Sequence, residues 1–301
     1  MVLTENKQWL QTRRGGIGGS DIGAIIGLDK YKSPLDVYFQ KVEGVQPEDN
    51  AAMRRGRALE EYVAQEFALA TGFELQQPEQ RIVEHPNCDF FLASVDRILV
   101  SSTGERGVLE CKTSARQFDR ENIPQSWVCQ LQWYLYVLDL KYGAIAWVGP
   151  NFNHDFVELE RDDEFIEYMV QEAIKFWDTY IIPRVPPEPR TANDVRKVYP
   201  RHTDGKAMEV TPEAAAVVVT YKSLAAEQKA KEEQAEGLKE RIITIFGDAE
   251  AITYQGLVLA TFKAPKDTVK FNMDAFKADH PEYVEQYQIT VPNSRRLLFK
   301  K

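Results

Sequence analysis

Two short stretches decide the reading of this chain: Ala93-Ser94-Val95-Asp96-Arg97-Ile98 and Val108-Leu109-Glu110-Cys111-Lys112. Residues two apart in a strand face the same side. Glu110 and Lys112 therefore point together, while Leu109 and Cys111 turn toward the core. If the two strands are antiparallel neighbours, Asp96 reaches the same spot. Two carboxylates and a lysine on one patch suit metal-assisted phosphodiester hydrolysis, because Mg²⁺ prefers oxygen ligands and leaves room for substrate phosphate. The lysine then positions the attacking water or balances the charge that grows on phosphate. The same spacing also fits a surface ladder of opposite charges, worth roughly 0.2–1 kcal/mol per pair.

Working outward, the chain reads as α-β-β-β-α-β, a mixed α/β sandwich. Upstream, Gln8–Arg14 suggests a short helix ended by Gly15-Gly16, and Ser20 reads as the cap of a second one, Ile22–Ile26. Ser33 caps Pro34–Val42, with Pro34 at the first helical position. Ala51–Thr71 is amphipathic, with Leu59, Tyr62, Val63, Phe67 and Ala70 on one face and Gly72 as its stop. The period then changes, and 74–83, 90–100 and 107–112 read as three strands. Pro124 opens a helix, Tyr142–Val148 is a buried strand, 153–160 pairs with it, and 162–180 is a further helix.

Pro183, Pro186, Pro187, Pro189 and Pro200 mark a semi-rigid connector over 183–204. It separates a core of residues 1–182 from an appendage of residues 205–301. In the appendage, Thr211–Phe246 predicts a long polar helix or helical hairpin arm with a patchy apolar stripe (Leu224, Leu238, Ile242, Ile245), and 252–263 predicts a β-hairpin around Gln255-Gly256. A basic tail, Arg295 to Lys301, follows. No catalytic signature is present there, and a structural or oligomerisation role is the default.

Composition narrows the classes. The 301 residues carry a net charge of −9, and residues 205–301 hold 14 basic and 14 acidic side chains, so the acidic excess belongs to the first 204. Any DNA site there needs a local basic patch or metal ions to neutralise phosphate. Cys88, Cys111 and Cys129 are too few for a disulfide framework or a four-thiolate metal centre, which favours a reducing, cytosolic setting. No stretch approaches the roughly 18 apolar residues of a membrane span, and the first residues lack the apolar segment of a secretion signal.

The α-β-β-β-α-β order with the acid–lysine strands resembles the restriction-endonuclease-like PD-(D/E)xK nuclease fold. More narrowly, the chain looks like the phage-type recombination exonucleases, the lambda-exonuclease and YqaJ-like viral recombinase family. Trp9-x-x-x-Arg13 followed by Gly16-Ile17-Gly18-Gly19-Ser20-Asp21-Ile22 looks like that family's N-terminal signature. Arg55-Gly56-Arg57-Ala58-Leu59-Glu60 resembles its glutamate motif, and Gln130-Leu131-Gln132-Trp133-Tyr134 its glutamine motif. Ser94-Val95-Asp96 and Leu109-Glu110-Cys111-Lys112 match its metal-site strands, with Val95 in place of the usual small or proline residue. The resemblance spans roughly residues 5–180.

The resemblance implies that Asp96 and Glu110 are metal ligands together with the Cys111 main-chain carbonyl, that Lys112 is the catalytic lysine, and that Glu60 completes the site through a second ion or a water. Two Mg²⁺ ions per site are expected, with Mn²⁺ as a substitute. Gln130 would orient Lys112 or a nearby water, and Arg13 and Ser20 would bind the 5′-phosphate of DNA. Ser20 as a helix cap also suits an anion, and Arg13 can clamp it bidentately. Each has a plainer alternative: capping alone for Ser20, a solvated side chain for Arg13, an exposed polar face for Gln130, an ion pair with Arg57 or Arg54 for Glu60. Arg54, Arg55 and Arg57 form the clearest basic cluster and are candidates for DNA backbone contacts. Trp127, Trp133, Tyr134 and Tyr136 read as core, and His85, His154, His202 and His280 receive no role.

The implied activity is a metal-dependent 5′-to-3′ exonuclease on linear duplex DNA, producing 3′ overhangs for strand annealing. It would act in a bacterial host's cytoplasm as a phage or prophage product. The family also implies a homo-oligomeric ring, trimer or tetramer, and an annealing-protein partner. A structure-specific or restriction-like endonuclease on the same fold is the second reading, and a non-catalytic DNA-end or partner-binding module the third.

Overall fold

The computed structural model describes residues 11–46, 48–290, 293 and 295–299. Residues 8–10 of the expected first helix, Trp9 among them, and Lys300 and Lys301 of the basic tail lie outside those residues; 11–14 are helical. The chain divides into two compact units at Val198/Tyr199.

The first unit begins with a two-residue strand β1 (Ile17–Gly18) and helices α1 (Gly19–Ile25), α2 (Pro34–Tyr38) and α3 (Ala51–Thr71). Asn50 caps α3 through its carboxamide on the Met53 N–H, an interaction worth about 1 kcal/mol, and Gly72 ends it in the left-handed conformation. Ser33 caps α2 as expected, but the helix stops at Tyr38 and gives way to a π turn over 39–43.

Strands β2 (Glu74–Gln76), β3 (Val83–His85), β4 (Cys88–Ala93), β5 (Arg97–Val100) and β6 (Arg106–Thr113) follow. Helix α4 (Gln125–Val137), strands β7 (Tyr142–Val148) and β8 (His154–Glu160) and helix α5 (Asp163–Phe176) complete the core. The main sheet runs β2-β5-β6-β7-β8. Its pairs are antiparallel except β6 with β7, the two strands joined through α4. The α3-β2-β5-β6-α4-β7 order is the expected α-β-β-β-α-β core of a mixed sheet flanked by helices.

Two sequence expectations are corrected. The segment 74–83 is not one strand, and neither is 90–100. Each is divided between the main sheet and a small second sheet, β1-β4-β3, in which β1 lies parallel and β3 antiparallel to β4. The apolar run Phe90–Val100 looks continuous, yet the chain changes sheets at Ser94-Val95-Asp96. That break leaves Asp96 outside both ladders.

Alternation in β6 sends its side chains to two covered faces. Leu109 is fully buried with Val63, Ala64 and Phe67 of α3 and with Leu99, Ala144 and Ala146 of the sheet. Val108 turns the other way, into the larger core with Leu131, Trp133 and Leu135 of α4 and Ile22 of α1. Each fully buried leucine or isoleucine contributes about 1.5–3 kcal/mol. Glu110 shares Val108's face, so the surface charge ladder is excluded: Glu110 is only 3% exposed.

The connector also differs from expectation. Helix α6 (Ala192–Val198) forms between Pro189 and Pro200. Thr191 Oγ1 accepts from the Asp194 N–H, and the Asp194 carboxylate takes the Ser33 hydroxyl at 2.6 Å and the Arg190 and Thr191 amides. Residues up to Val198 thus belong with the core.

The second unit holds helix α7 (Pro212–Phe246), capped by Thr211, the hairpin β9 (Ala251–Tyr254) and β10 (Leu257–Thr261), and short helices α8 (Met273–Asp279) and α9 (Pro281–Gln286). At 35 residues α7 is one helix, not a hairpin. Phe246, against Phe262, is the one buried residue among those described there. Leu224, Leu238, Ile242 and Ile245 are all exposed.

Candidate active site

The first two turns of α1 approach α4 closely because glycine allows it. A Cβ on Gly19 would lie 2.6 Å from the Tyr134 ring and 3.0 Å from Gln130. One turn on, Gly23 faces Ser126. This contact sets the Gly16–Ser20 segment beside the C-terminal half of β6. Between them opens a cleft of about 210 Å³, lined by Arg13, Ser20, Ser94, Asp96, Glu110, Gln130 and Tyr134 among others.

At its acidic end, Asp96 and Glu110 come from neighbouring antiparallel segments, as Arg97 pairs with Leu109. Asp96 Oδ2 accepts the Cys111 N–H at 2.8 Å. In an extended strand a residue's N–H and C=O point to the same edge, so the Cys111 carbonyl opens on the side where Asp96 lies. Glu110 Oε1 accepts from Lys112 Nζ at 2.7 Å and from Gln130 Nε2 at 2.6 Å. Lys112 also donates to Gln130 Oε1 at 2.7 Å, and Gln130 Nε2 reaches the Tyr134 hydroxyl at 3.0 Å. Gln130 thus bonds both the Lys112 ammonium and the Glu110 carboxylate.

This end is electrostatically unsatisfied. Burial, then the Glu110 charge, pushes the Asp96 carboxyl up to about 8 despite the Cys111 N–H. Burial also lifts Glu110, outweighing Lys112. Glu110 Oε2 is buried with no hydrogen-bond partner, which costs on the order of 1–3 kcal/mol. Two buried carboxylates with an orphaned oxygen and an adjacent carbonyl edge form an oxygen donor set of the kind that hard divalent cations take.

Glu60 is not drawn into that pair. Its carboxylate bonds Arg97 Nη1 at 2.9 Å, and Arg97 Nη2 takes Glu61 at 2.6 Å. The partner is Arg97, not Arg54 or Arg57. The same Arg97 Nη1 donates to the Asp96 carbonyl at 2.5 Å, so Arg97 bridges Glu60 to the acid pair's backbone. Among the described residues no three His, Cys, Asp or Glu side chains converge closely enough to hold a metal ion by themselves. The expected three-carboxylate grouping is thus two carboxylates plus an ion-paired third.

At the basic end, Arg13 Nη2 donates to Ser20 Oγ at 2.5 Å. Ser20 is not the cap of α1: Gly18 holds that position, its N–H bonded to Asp21 Oδ2 at 3.0 Å, and Ser20 sits in the first turn facing Arg13. Arg54 and Arg57 both contact Asp49, the second at 2.8 Å, and are largely exposed. Arg55 Nε lies 3.5 Å from Thr113 Oγ1 at the end of β6.

Sequence reasoning missed Tyr134 as a site residue, although its place four residues after Gln130 on one helix face was a signal. Trp133 is core as expected, fully buried with its indole N–H on the Leu92 carbonyl. Lys41 and Arg97 carried no local signal, since their ion-pair partners Asp21 and Glu60 are 20 and 37 residues away.

Residues 8–141 match the YqaJ-like viral recombinase domain. The uncharacterized protein YqaJ of Bacillus subtilis (strain 168) is 32% identical over 266 residues, covering 83% of this chain and 82% of the relative. Among solved structures, an alkaline exonuclease (LHK-Exo) from Laribacter hongkongensis matches with a TM-score of 0.48 and 20% identity over 59% of this chain and 93% of that one. A phage related exonuclease from Haemophilus somnus 129PT matches with 0.43 and 16% over 56% and 96%. With 32% identity to YqaJ sustained along most of both sequences, and the domain matched over residues 8–141, the chain belongs to the YqaJ-like viral recombinase family.

Proposed function

We propose that this chain is a divalent-metal-dependent nuclease that degrades one strand of linear double-stranded DNA from its 5′ end, leaving a 3′ single strand for an annealing protein. The observation that carries the reading is the shared cleft: an arginine–serine pair suited to phosphate and a strained pair of buried carboxylates line one cavity. Membership of a recombinase family supports DNA as the substrate.

Asp96, Glu110 and the Cys111 carbonyl are the residues that would hold Mg²⁺ or Mn²⁺, with Glu60 joining through a second ion. Such an ion would supply Lewis-acid polarisation of the phosphoryl group and relief of the carboxylate repulsion. The chain's own residues do the rest. Gln130 and Glu110 hold the Lys112 ammonium, which steadies a water or balances charge growing on the phosphate. Arg13 and Ser20 engage the terminal phosphate and set the register of cutting. A ring of three or four copies around the duplex belongs to the same proposal.

The test is digestion of linear against covalently closed circular duplex in Mg²⁺, with a label at either end of one strand. Exclusive loss of the linear form, with label released first from the 5′ end, supports the proposal. Equal digestion of both forms makes the protein an endonuclease, and no digestion of either makes it a binding module.

A further inference from the structure

Behind Arg13 and Ser20 lies a buried ion cluster. Asp21 is fully buried. Its Oδ1 meets Lys32 Nζ at 2.5 Å and its Oδ2 meets Lys41 Nζ at 2.7 Å and the Gly18 N–H at 3.0 Å. Burial would raise this carboxyl, but Lys32, Lys41 and Arg13 overcome it and hold it well below the usual carboxylate range. Lys41, itself buried, has a second contact: it donates to the Arg13 main-chain carbonyl at 2.7 Å. Arg14 ties the same segment down from its other side, through the Lys41 carbonyl at 2.9 Å and the Val42 carbonyl.

The contacts close a ring. Asp21 holds Lys41, Lys41 holds the Arg13 backbone, the Arg13 guanidinium holds Ser20, and Ser20 precedes Asp21 on α1. Three cations face one carboxylate, so the cluster carries net positive charge at the edge of the cleft. A terminal phosphate monoester, with about −1.5 to −2 charges, balances that excess better than an internal phosphodiester with one.

We propose that Asp21 is the positioning residue of this subsite: by fixing Arg13 through Lys41 and Ser20 through α1, it makes guanidinium and hydroxyl meet a 5′-phosphate monoester together. The proposal rests on the terminal-phosphate part of the function proposed above. A purely structural Asp21 would affect all DNA equally, whereas a positioning Asp21 affects the discrimination between ends.

The experiment measures binding of the full-length protein, in EDTA so that no cutting occurs, to two fluorescent duplexes differing only in a 5′-phosphate or 5′-hydroxyl. Wild type, Asp21→Asn and the charge-balanced pair Asp21→Asn/Lys41→Met are compared, each checked for cooperative melting. The double replacement removes the two buried ions together and leaves only the more exposed Lys32 without its carboxylate, so it decides the matter if the single variant does not fold. The expected result is an about tenfold fall in preference for the phosphorylated end, as a misplaced clamp implies, with hydroxyl-end binding falling far less. A wild-type preference in either folded variant, or equal losses on both ends, overturns the proposal. If the wild type itself does not distinguish the ends, the terminal-phosphate reading fails and the Asp21 role with it.

Discussion

Asp21 and Asp96 are both acids lying deep at one cleft, and their surroundings drive them in opposite directions. Asp21 has two lysines, a backbone N–H and a nearby arginine, and stays ionised. Asp96 has one backbone N–H and two carboxylate neighbours, and its carboxyl rises to about 8. Burial penalises both charges, so the difference lies entirely in what the fold supplies in compensation. A satisfied buried acid holds structure together. A buried acid left unsatisfied beside another is a place where stability has been given up, which is the usual mark of a functional site.

The comparison can be broken most severely through its chemistry. Lys112→Ala or Asp96→Ala should lower cleavage of linear duplex by about 10³-fold, since several kcal/mol of transition-state stabilisation are at stake. Both variants should keep a cooperative melt. Loss of folding in both would recast the acidic end as structural.

Next in size is Asp21→Asn, which leaves Lys41 buried against a neutral group. Removing one partner of a buried pair costs about 3–5 kcal/mol, read by denaturant titration at pH 7. Because the Asp21 carboxyl is depressed, its contribution is present above its ordinary value of 3.8 and fades as pH falls below it. The gap between wild type and variant should therefore narrow in acid.

Asp96→Asn should do the opposite. A raised carboxyl weakens the folded state as pH climbs from 3.8 through about 8. In EDTA the variant should be more stable than wild type at pH 8, and the gain should vanish near pH 4. A variant less stable than wild type at pH 8 would show that Asp96 is satisfied after all. The smallest effect is expected at the subsite itself. Ser20→Ala should change stability by under about 1 kcal/mol and reduce the preference for a 5′-phosphorylated end.

How much of this was legible beforehand depends on the range of each interaction. The alternation of Leu109, Glu110, Cys111 and Lys112 fixes two faces of β6 locally, and the cap Ser33 and the stop Gly72 act within one turn. The sheet change at Ser94-Val95-Asp96 was not legible, because the apolar pattern runs through it and only pairing with β1 and β6 imposes the break. The ion pair of Glu60 with Arg97 spans 37 residues and the bond from Ser33 to Asp194 spans 161. No sequence window contains such contacts, so neither the Arg97 partner of Glu60 nor the anchoring of α6 to the core is readable from the sequence.

If a divalent cation completes the Asp96–Glu110 end, its binding should be measurable apart from any activity. Titrating Mn²⁺ into the full-length protein and following free ion by electron paramagnetic resonance measures it. Wild type should bind Mn²⁺ and Glu110→Gln, folded by its melt, should not; undiminished Mn²⁺ uptake by that variant, or none by the wild type, would contradict a cation site between the two acids.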